Sequence, residues 1–572
     1  MSTVPSPVWL PNSTVPYADQ DNQDGNRGGG SPIDTPTNLT LVPDDSENLL
    51  HWEADFANVD TYEIRVNGGT VYSAISGGAY LDTAVTNGQA YSYELRGRKG
   101  LEVSSWTSAE AVSSAGKMMP TGTTYHIDPL GSDANTGLGT GAGSAFETIN
   151  HALSIVTPGD GIAIAAGTYQ EEAIPVGGKH NIPVSWLPVT AGTQANKIFI
   201  FAEPGDEGSV LLDGQLTSYG FFMSGGAERG NHYLFRDLNF QNCRSACIGN
   251  WDYIDPLRAE ADMSTGIIIE DCDFDHTGSN YGQNVSHIAF WGSLGWVMRN
   301  NTLADCDEDT GAPDRSGSGM QSYQMQRSVI YHNTFDGTNQ GTGILYKSYF
   351  TKTDDAAYHC GDIFLNKFIG GIDGIQAIVQ GTGWPGNMFT CVNNNVFDSP
   401  SRYAINFTQT ISEFGGQEIR IHNNTQYGAN WSELYTGVWP VKRSGNLTIS
   451  STRDLVAQLQ STTKQTKINY SDYNIFDSSL AVDLDVNGSG VGGTPTAYTS
   501  LATWQAALSS ATVTLDMDNP DPNSIQSDAA TLFTNAATGD FTNKAGSPAL
   551  GLMPDGSNAG AYQIGTEQIG AA

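Results

Sequence analysis

One internal period limits what this chain can fold into. When the short apolar runs of its middle half are aligned on their last large residue, HYLFRDLNF ends at Phe240, IIIEDCDF at Phe274, WVMRNNTL at Leu303, SVIYHNTF at Phe335, DIFLNKF at Phe368 and CVNNNVF at Phe397. The steps are 34, 29, 32, 33 and 29 residues, a spacing that marks a repeat architecture. IRIHNNT falls one step later, and INYSDYNIF ends at Phe476 after what reads as a longer insertion. An Asn sits two places before the aligned residue at Asn301, Asn333, Asn366 and Asn395, and recurs at Asn424 and Asn474. Helical repeats would carry apolar residues at i, i+3, i+4 and i+7, and the windows between these runs do not. Each repeat is instead a set of strand-length apolar segments divided by polar, Gly-containing bends. Parallel strands cannot be joined by two-residue hairpins, so such units coil into a solenoid in which one position per rung fills the interior. A stacked ladder of side-chain amides accounts for the recurring Asn. The expected fold is all-β, a right-handed parallel β-helix preceded by a small antiparallel β-sandwich.

Three regions divide the chain. Residues 1–32 are polar and rich in Pro, Gly, Asn and Asp, ending in Gly28-Gly29-Gly30, and read as a disordered linker or tail. Residues 33–115 switch to short alternating runs (NLTLV, NLLHW, YEIRV, TVYSA, YSYELRG) separated by turn residues, the pattern of an antiparallel sandwich. Residues 120–566 form the solenoid, with the helix-period stretch SAFETINHALSIV at 144–156 suited to capping its N-terminal end.

Composition excludes some functions. Lys plus Arg number 26 against 61 Asp plus Glu, a net charge of −35, which argues against nucleic acid because a phosphate backbone is held by basic surface. Residues 231–430 carry 11 basic and 22 acidic residues, a net of −11, so the repeat region is no more basic than the rest. No run of eighteen apolar residues suggests a membrane span, and the start MSTVPSPVWL lacks the basic and apolar regions of a signal peptide. The six cysteines show no zinc spacing and fit either disulfides of an exported protein or buried free thiols. A monomer is expected.

Two resemblances add to this reading. The Pro-x-Asn-Leu start, Trp52, the strand with Tyr91, Tyr93, Leu95 and Arg96, and the closing Ser-Trp-Thr with Trp106 resemble a fibronectin type III module over about 80 residues; such modules space or bind rather than catalyse. HIDPLGSDANTG (126–137), FETINHAL, PGDGIAIAAGTYQEE (158–172), IFIFAEPGD and LLDG (to Gly214), together with the closing segment at 519–565, resemble secreted right-handed β-helix proteins. Many of those act on polysaccharides, including the pectate lyases and the chondroitinase B and alginate lyase group. The resemblance spans about 440 residues and implies fold more strongly than chemistry, because one fold hosts many functions. It implies a secreted or cell-surface protein with a polysaccharide partner.

Candidate chemistry follows three lines. β-Elimination of a uronic acid polymer needs a base for the proton beside the carboxylate and a cation for the charge that develops there. Asn333-Thr334-Phe335 followed by Lys347-Ser348 resembles a motif of the chondroitinase B and alginate lyase group, which makes Lys347 the candidate base. The match departs where that group has calcium-binding acids, here Gln340, Gly341 and Gly343, and where it has Arg-His-Gly, here DGIQAIVQG. Arg315 and Arg327 are candidates to neutralise a carboxylate, and His332 to relay a proton; surface ion pairs and a hydrogen-bonded structural histidine are the ordinary alternatives. In the second line, DCDFDHTG and DCDEDTGAPDR crowd acids into neighbouring bends, so that Asp273, Asp305, Asp307 and Asp309 would hold a calcium ion, or two such acids would act as general acid and nucleophile of a glycosidase. Solvated acidic loops are the alternative. Third, Trp291, Trp384, Tyr323 and Tyr346 fall mostly in turns where sugar rings would stack, or where they would pin loops to the solenoid. Three outcomes stay open: a lyase, a hydrolase, and a non-catalytic carbohydrate-binding protein or adhesin.

Overall fold

A computed structural model describes residues 33–55, 58–112, 115–171, 174, 183–223, 230–250, 263–279, 285–308, 317–337, 341–349, 358–380, 388–409, 418–429, 431–436, 440–449, 453–458, 467–477, 482–485, 496–508, 523–553 and 558–560. The repeat units coil into a right-handed parallel β-helix bounded by three long sheets of 12, 12 and 13 strands, here sheets I, II and III. Each rung contributes one strand to each sheet in turn. Val297–Arg299, Thr302–Ala304 and Ser318–Gln326, for example, belong to sheets I, II and III.

The corner from sheet I to sheet II explains the period of Asn residues. From Asn300 onward it is two residues long on every rung: a left-handed residue, then an Asn. Asn300, His332, Leu365, Asn394 and Asn423 occupy the left-handed position with φ of 56°, 54°, 56°, 54° and 52°. The Asn that follows is fully buried and satisfies backbone groups that the sharp turn would strand. Asn366 donates from Nδ2 to the carbonyls of Ile330 (2.8 Å) and Phe364 (3.0 Å) and to Asn395 Oδ1 (3.0 Å), while its own Oδ1 accepts from the Asn333 amide (3.0 Å). The same bonds join Asn301, Asn333, Asn366, Asn395, Asn424, Asn446 and Asn474 into one ladder. Asn446 corrects the expected insertion before Phe476: VKRSGNLTI is a further complete rung whose left-handed position is Gly445. The aligned apolar residue lies just beyond the corner, where Phe335, Phe368 and Phe397 stack at 4.8 and 4.7 Å with rings 5° and 7° apart.

The ends of the solenoid are closed differently. Ile149–Leu153 forms a five-residue helix inside the expected capping stretch, with Ile149, Ala152 and Leu153 buried and Thr148 as N-cap. At the other end, Leu532, Phe533, Phe541 and Ala549 of the closing segment join Val396, Leu447, Ile449 and Ile475 in one apolar cluster, covering the later rungs of sheet II. Among the described residues no helix is long and apolar enough to cross a membrane. Cys243, Cys247, Cys272 and Cys391 are buried thiols without disulfides.

The N-terminal region folds as two antiparallel sheets. One joins Thr37–Asp44, Glu47–Glu53 and Ala79–Asp82; the other is built on Thr61–Val66, Thr70–Ile75 and Tyr91–Lys99. Trp52, Tyr62, Ile64, Tyr93 and Leu95 fill the space between them. This sandwich lies on the outer face of sheet I, where Arg236, Glu270, Arg299 and Tyr331 stand in register on successive rungs. Alternating charges on neighbouring strands pair across the ladder: Arg236 Nε to Glu270 Oε1 at 2.5 Å and Arg299 Nε to Glu270 Oε2 at 2.8 Å. The sandwich completes the network through Asp44, 3.1 Å from Arg299, and Glu47, which accepts from the Tyr331 hydroxyl at 2.9 Å. Further along the same sheet, Arg420 donates to the carbonyls of Asp60 (2.9 Å) and Ser76 (2.7 Å), and Asp362 accepts from the Gly78 amide (2.9 Å). Val42, Leu49, Ala79 and Leu81 pack against Leu234, Ile268, Val297 and Val329 around these bonds. The sandwich is therefore fixed to the solenoid by buried charges as well as apolar contact.

Candidate functional site

Solenoids carry function on the face where loop length varies. From Asn300 onward the I-to-II corner keeps one length, whereas residues 203–209 make it seven residues long on an earlier rung. The connections that border sheet III vary: residues 305–317, 338–341 and 399–402 lead into it, and 327, 350–357, 381–387 and 410–417 lead out of it. Sheet I is covered by the sandwich and the later rungs of sheet II by the closing segment. From Asn300 onward the connections of unequal length are thus the ones that border sheet III.

Strand alternation defines the outer face of that sheet. Ile288, Met320, Ile344, Ile375 and Ile405 point into the core. The next residue on each strand faces outward, so Ala289, Gln321, Leu345, Gln376 and Asn406 form one outer column in register. Two residues further, Trp291, Tyr323, Lys347, Ile378 and Thr408 form a second. Three residues singled out in the sequence, Trp291, Tyr323 and Lys347, therefore fall side by side on successive rungs. The Tyr323 ring is 7% exposed, and its hydroxyl is 3.2 Å from Gln321 Nε2. The side chains of Trp291 and Lys347 lie outside the described residues; their backbone register does not.

The remaining expectations scatter. Tyr346 joins the interior cluster rather than a sugar-facing surface, because it is one residue out of phase with Lys347 on the same strand. Arg327 occupies the III-to-I corner at φ 49°, with Nη1 3.7 Å from Glu53 of the sandwich. His332 is a left-handed I-to-II corner residue; burial and the neighbouring Arg299 push its imidazole down to about 4, so it is neutral at physiological pH. Its ring lies 5.2 Å from Tyr331, under the sandwich and away from sheet III. Asp273 is exposed on the outer side of sheet II, Asp305 turns the chain after Thr302–Ala304 at φ 48°, and Asp307 pairs with Gly278 in a short strand. Among the described residues no group of three or more His, Cys, Asp or Glu is arranged to hold a metal ion. Of the four carboxylates expected to hold calcium, the Asp307 side chain and all of Asp309 lie outside the described residues. Asp309, Arg315 and Trp384 lie outside the described residues.

Two polar networks went unread in the sequence. Inside the corner between sheets II and III, His287 Nδ1 is 2.7 Å from Thr277 Oγ1, itself 3.1 Å from Cys247 Sγ, all of them buried. On subsequent rungs glycines replace that histidine: a Cβ on Gly319, Gly343 or Gly374 would stand 2.6, 2.4 or 2.4 Å from the rings of Phe335, Phe368 and Phe397. The other network is at the outer margin. Asp373, buried, accepts from Arg402 Nε (2.9 Å) and Nη2 (2.7 Å), from the Tyr403 amide (3.2 Å) and from Asn406 Nδ2 (3.1 Å). Arg402 keeps 46% of its side chain exposed, over the Tyr403 ring at 5.5 Å. Asp373 and Arg402 are 29 residues apart, one repeat step, which is the signal that would have found the pair.

The architecture defines the class: a parallel β-helix of three long sheets. No family model and no curated protein matches the chain. Solved structures that resemble it include XylC in complex with xylose, at 11% identity over 71% of this chain and 83% of that one, TM-score 0.40. The alginate lyase AlyGC of family PL6 matches at 14% identity over 73% and 56%, TM-score 0.37. The pectate lyase Pel9A matches at 13% over 79% and 96%, TM-score 0.35.

Proposed function

We propose that this protein degrades an extracellular, uronic-acid-containing polysaccharide by β-elimination on the outer face of sheet III. The observation that carries the reading is that from Asn300 onward the connections of unequal length all border that sheet, on which Trp291, Tyr323 and Lys347 share one register column. Trp291 and Tyr323 put two aromatic residues, of the kind that stack on sugar rings, in that column. In its neutral form the Lys347 amine takes the proton beside the uronate carboxylate; the electron pair left on carbon forms the new double bond as the glycosidic oxygen departs. The resemblance of Asn333-Thr334-Phe335 and Lys347-Ser348 to the chondroitinase B and alginate lyase motif supports this assignment.

The test is incubation with a panel of acidic and neutral polysaccharides, following ultraviolet absorbance from unsaturated uronates and new reducing ends together. Lyase action gives both, and Lys347→Ala lowers kcat at least about 100-fold with the fold intact, since a general base contributes roughly that much. Reducing ends without absorbance would replace this reading with hydrolysis by paired carboxylates. Binding without either product would replace it with a carbohydrate-binding protein.

A further inference from the structure

Arginine is scarce in this acidic chain, and among the described residues of the solenoid most arginines are buried. Arg236, Arg299, Arg420 and Arg443 are buried. Among the described arginines of the solenoid, Arg402 alone is exposed, and its guanidinium is paired with a buried carboxylate. Its fork meets both oxygens of a buried carboxylate that is itself bonded to Tyr403 and Asn406. Of the five N–H donors of a guanidinium, two are used on Asp373. The remaining donors face away from that carboxylate, on a side chain nearly half open to solvent. A pre-set planar fork binds a second oxyanion with little further loss of rotamer freedom.

Its position matters as much. Arg402 Nη2 and Asn406 Nδ2 bond the same Asp373 oxygen, at 2.7 and 3.1 Å, so the guanidinium lies beside Asn406. Asn406 belongs to the outer column of sheet III, two rungs from Leu345 and two further residues along the strand from Lys347. With rungs about 4.8 Å apart and about 3.3 Å per residue, that separation is about 12 Å, a distance an extended saccharide spans within a few sugar units. We propose that Arg402, held by Asp373 and flanked by Asn406 and Tyr403, is a specificity-determining residue that binds the carboxylate of an acidic sugar unit a few positions from the reacting bond. The assignment rests on sheet III being the substrate face and names the substrate class as carboxylated polysaccharide.

Direct binding tests it without requiring turnover. Oligogalacturonate, alginate and hyaluronan oligosaccharides, and a fully methyl-esterified oligogalacturonate, are titrated calorimetrically into the full chain and into Arg402→Gln and Arg402→Lys. At least one acidic probe is expected to bind more tightly than the ester. Arg402→Gln should weaken that probe about 10- to 100-fold, as losing a charge-assisted bond to a charged group does, and leave ester binding unchanged. Arg402→Lys should fall between, keeping the charge without the fork. Equal binding of acid and ester, no binding of any acidic probe, or unchanged affinity in folded Arg402→Gln would overturn the assignment. Arg402→Lys keeps a cation beside Asp373 and decides the matter if the glutamine variant does not fold: acid affinity unchanged from the parent overturns the proposal, and a loss confined to the acidic probes supports it. Charge-selective binding that depends on Arg402, together with failure to form unsaturated products, would reject the elimination chemistry and leave this subsite standing.

Discussion

Replacing Arg420 by Met tests whether the sandwich is an integral part of the solenoid. The substitution keeps the apolar stem and removes a guanidinium whose bonds to the Asp60 and Ser76 carbonyls, at 2.9 and 2.7 Å, both cross from solenoid to sandwich. Bonds of this kind are worth about 1.5–3 kcal/mol each, so the gross loss is about 3–6 kcal/mol. Removing the charge also relieves its burial cost, which offsets part of the loss. A net cost of about 3 kcal/mol on the docked state is the expected result, and at about 1.4 kcal/mol per decade this is roughly a 100-fold rise in the undocked population. Amide hydrogen exchange reads it directly. The Gly78 amide, which donates to Asp362 across the same interface at 2.9 Å, should exchange about 100-fold faster. The ladder amides of Asn333 and Asn366 inside the solenoid should not change. If the Gly78 amide keeps its protection within about threefold, the bonds from Arg420 contribute no docking energy and the reasoning fails.

Two further outcomes follow from the same physics. Burial raises the Glu47 carboxyl to about 7, opposed by Arg299 and by the Tyr331 hydroxyl that bonds it. The native state then keeps a proton that the unfolded chain has already lost, so stability is greatest below the unfolded pKa and falls as pH rises from about 4.5 to about 7. Glu47→Gln should flatten that part of the profile in urea midpoints measured across the range; an unchanged slope would remove Glu47 as its source. Asn366→Asp tests the ladder at constant shape. It turns a donor facing the Ile330 and Phe364 carbonyls and Asn395 Oδ1 into an acceptor, with an expected loss of about 3–5 kcal/mol in chemical denaturation. A loss below about 1 kcal/mol would mean that the amides line the corner without holding it.

The particular residues show where sequence was sufficient. Phe335, Phe368 and Phe397, and the Asn two places before each, repeat because one corner geometry is rebuilt on successive rungs from Asn300 onward. From Asn300 onward a left-handed residue is followed by an amide that satisfies the stranded carbonyls. A local rule of that kind is written in the local sequence, so period, strand order and parallel pairing were legible. Alternation along a strand then placed Lys347 and Tyr323 in one column once the register was known, and moved Tyr346 into the core. That single-residue phase was not apparent from an aromatic-rich run read alone.

What the sequence could not decide depends on residues far apart along the chain. Arg299 meets Asp44 and Arg420 meets Asp60 across more than two hundred residues, and no local pattern distinguishes these buried guanidiniums from surface ones. Inside the lower solenoid Arg443 faces Glu433, which also accepts from Gln426 at 2.9 Å, where the upper rungs carry Ile. By itself the sequence determined the solenoid, because its rule is renewed at each turn of the chain. Only the tertiary structure decided that the sandwich covers sheet I, that His332 and Arg327 lie on or beside that covered side, and that Arg402 is held at the margin of sheet III. Coulombic pairing and burial depend on distance in space, and the sequence carries distance only along the chain.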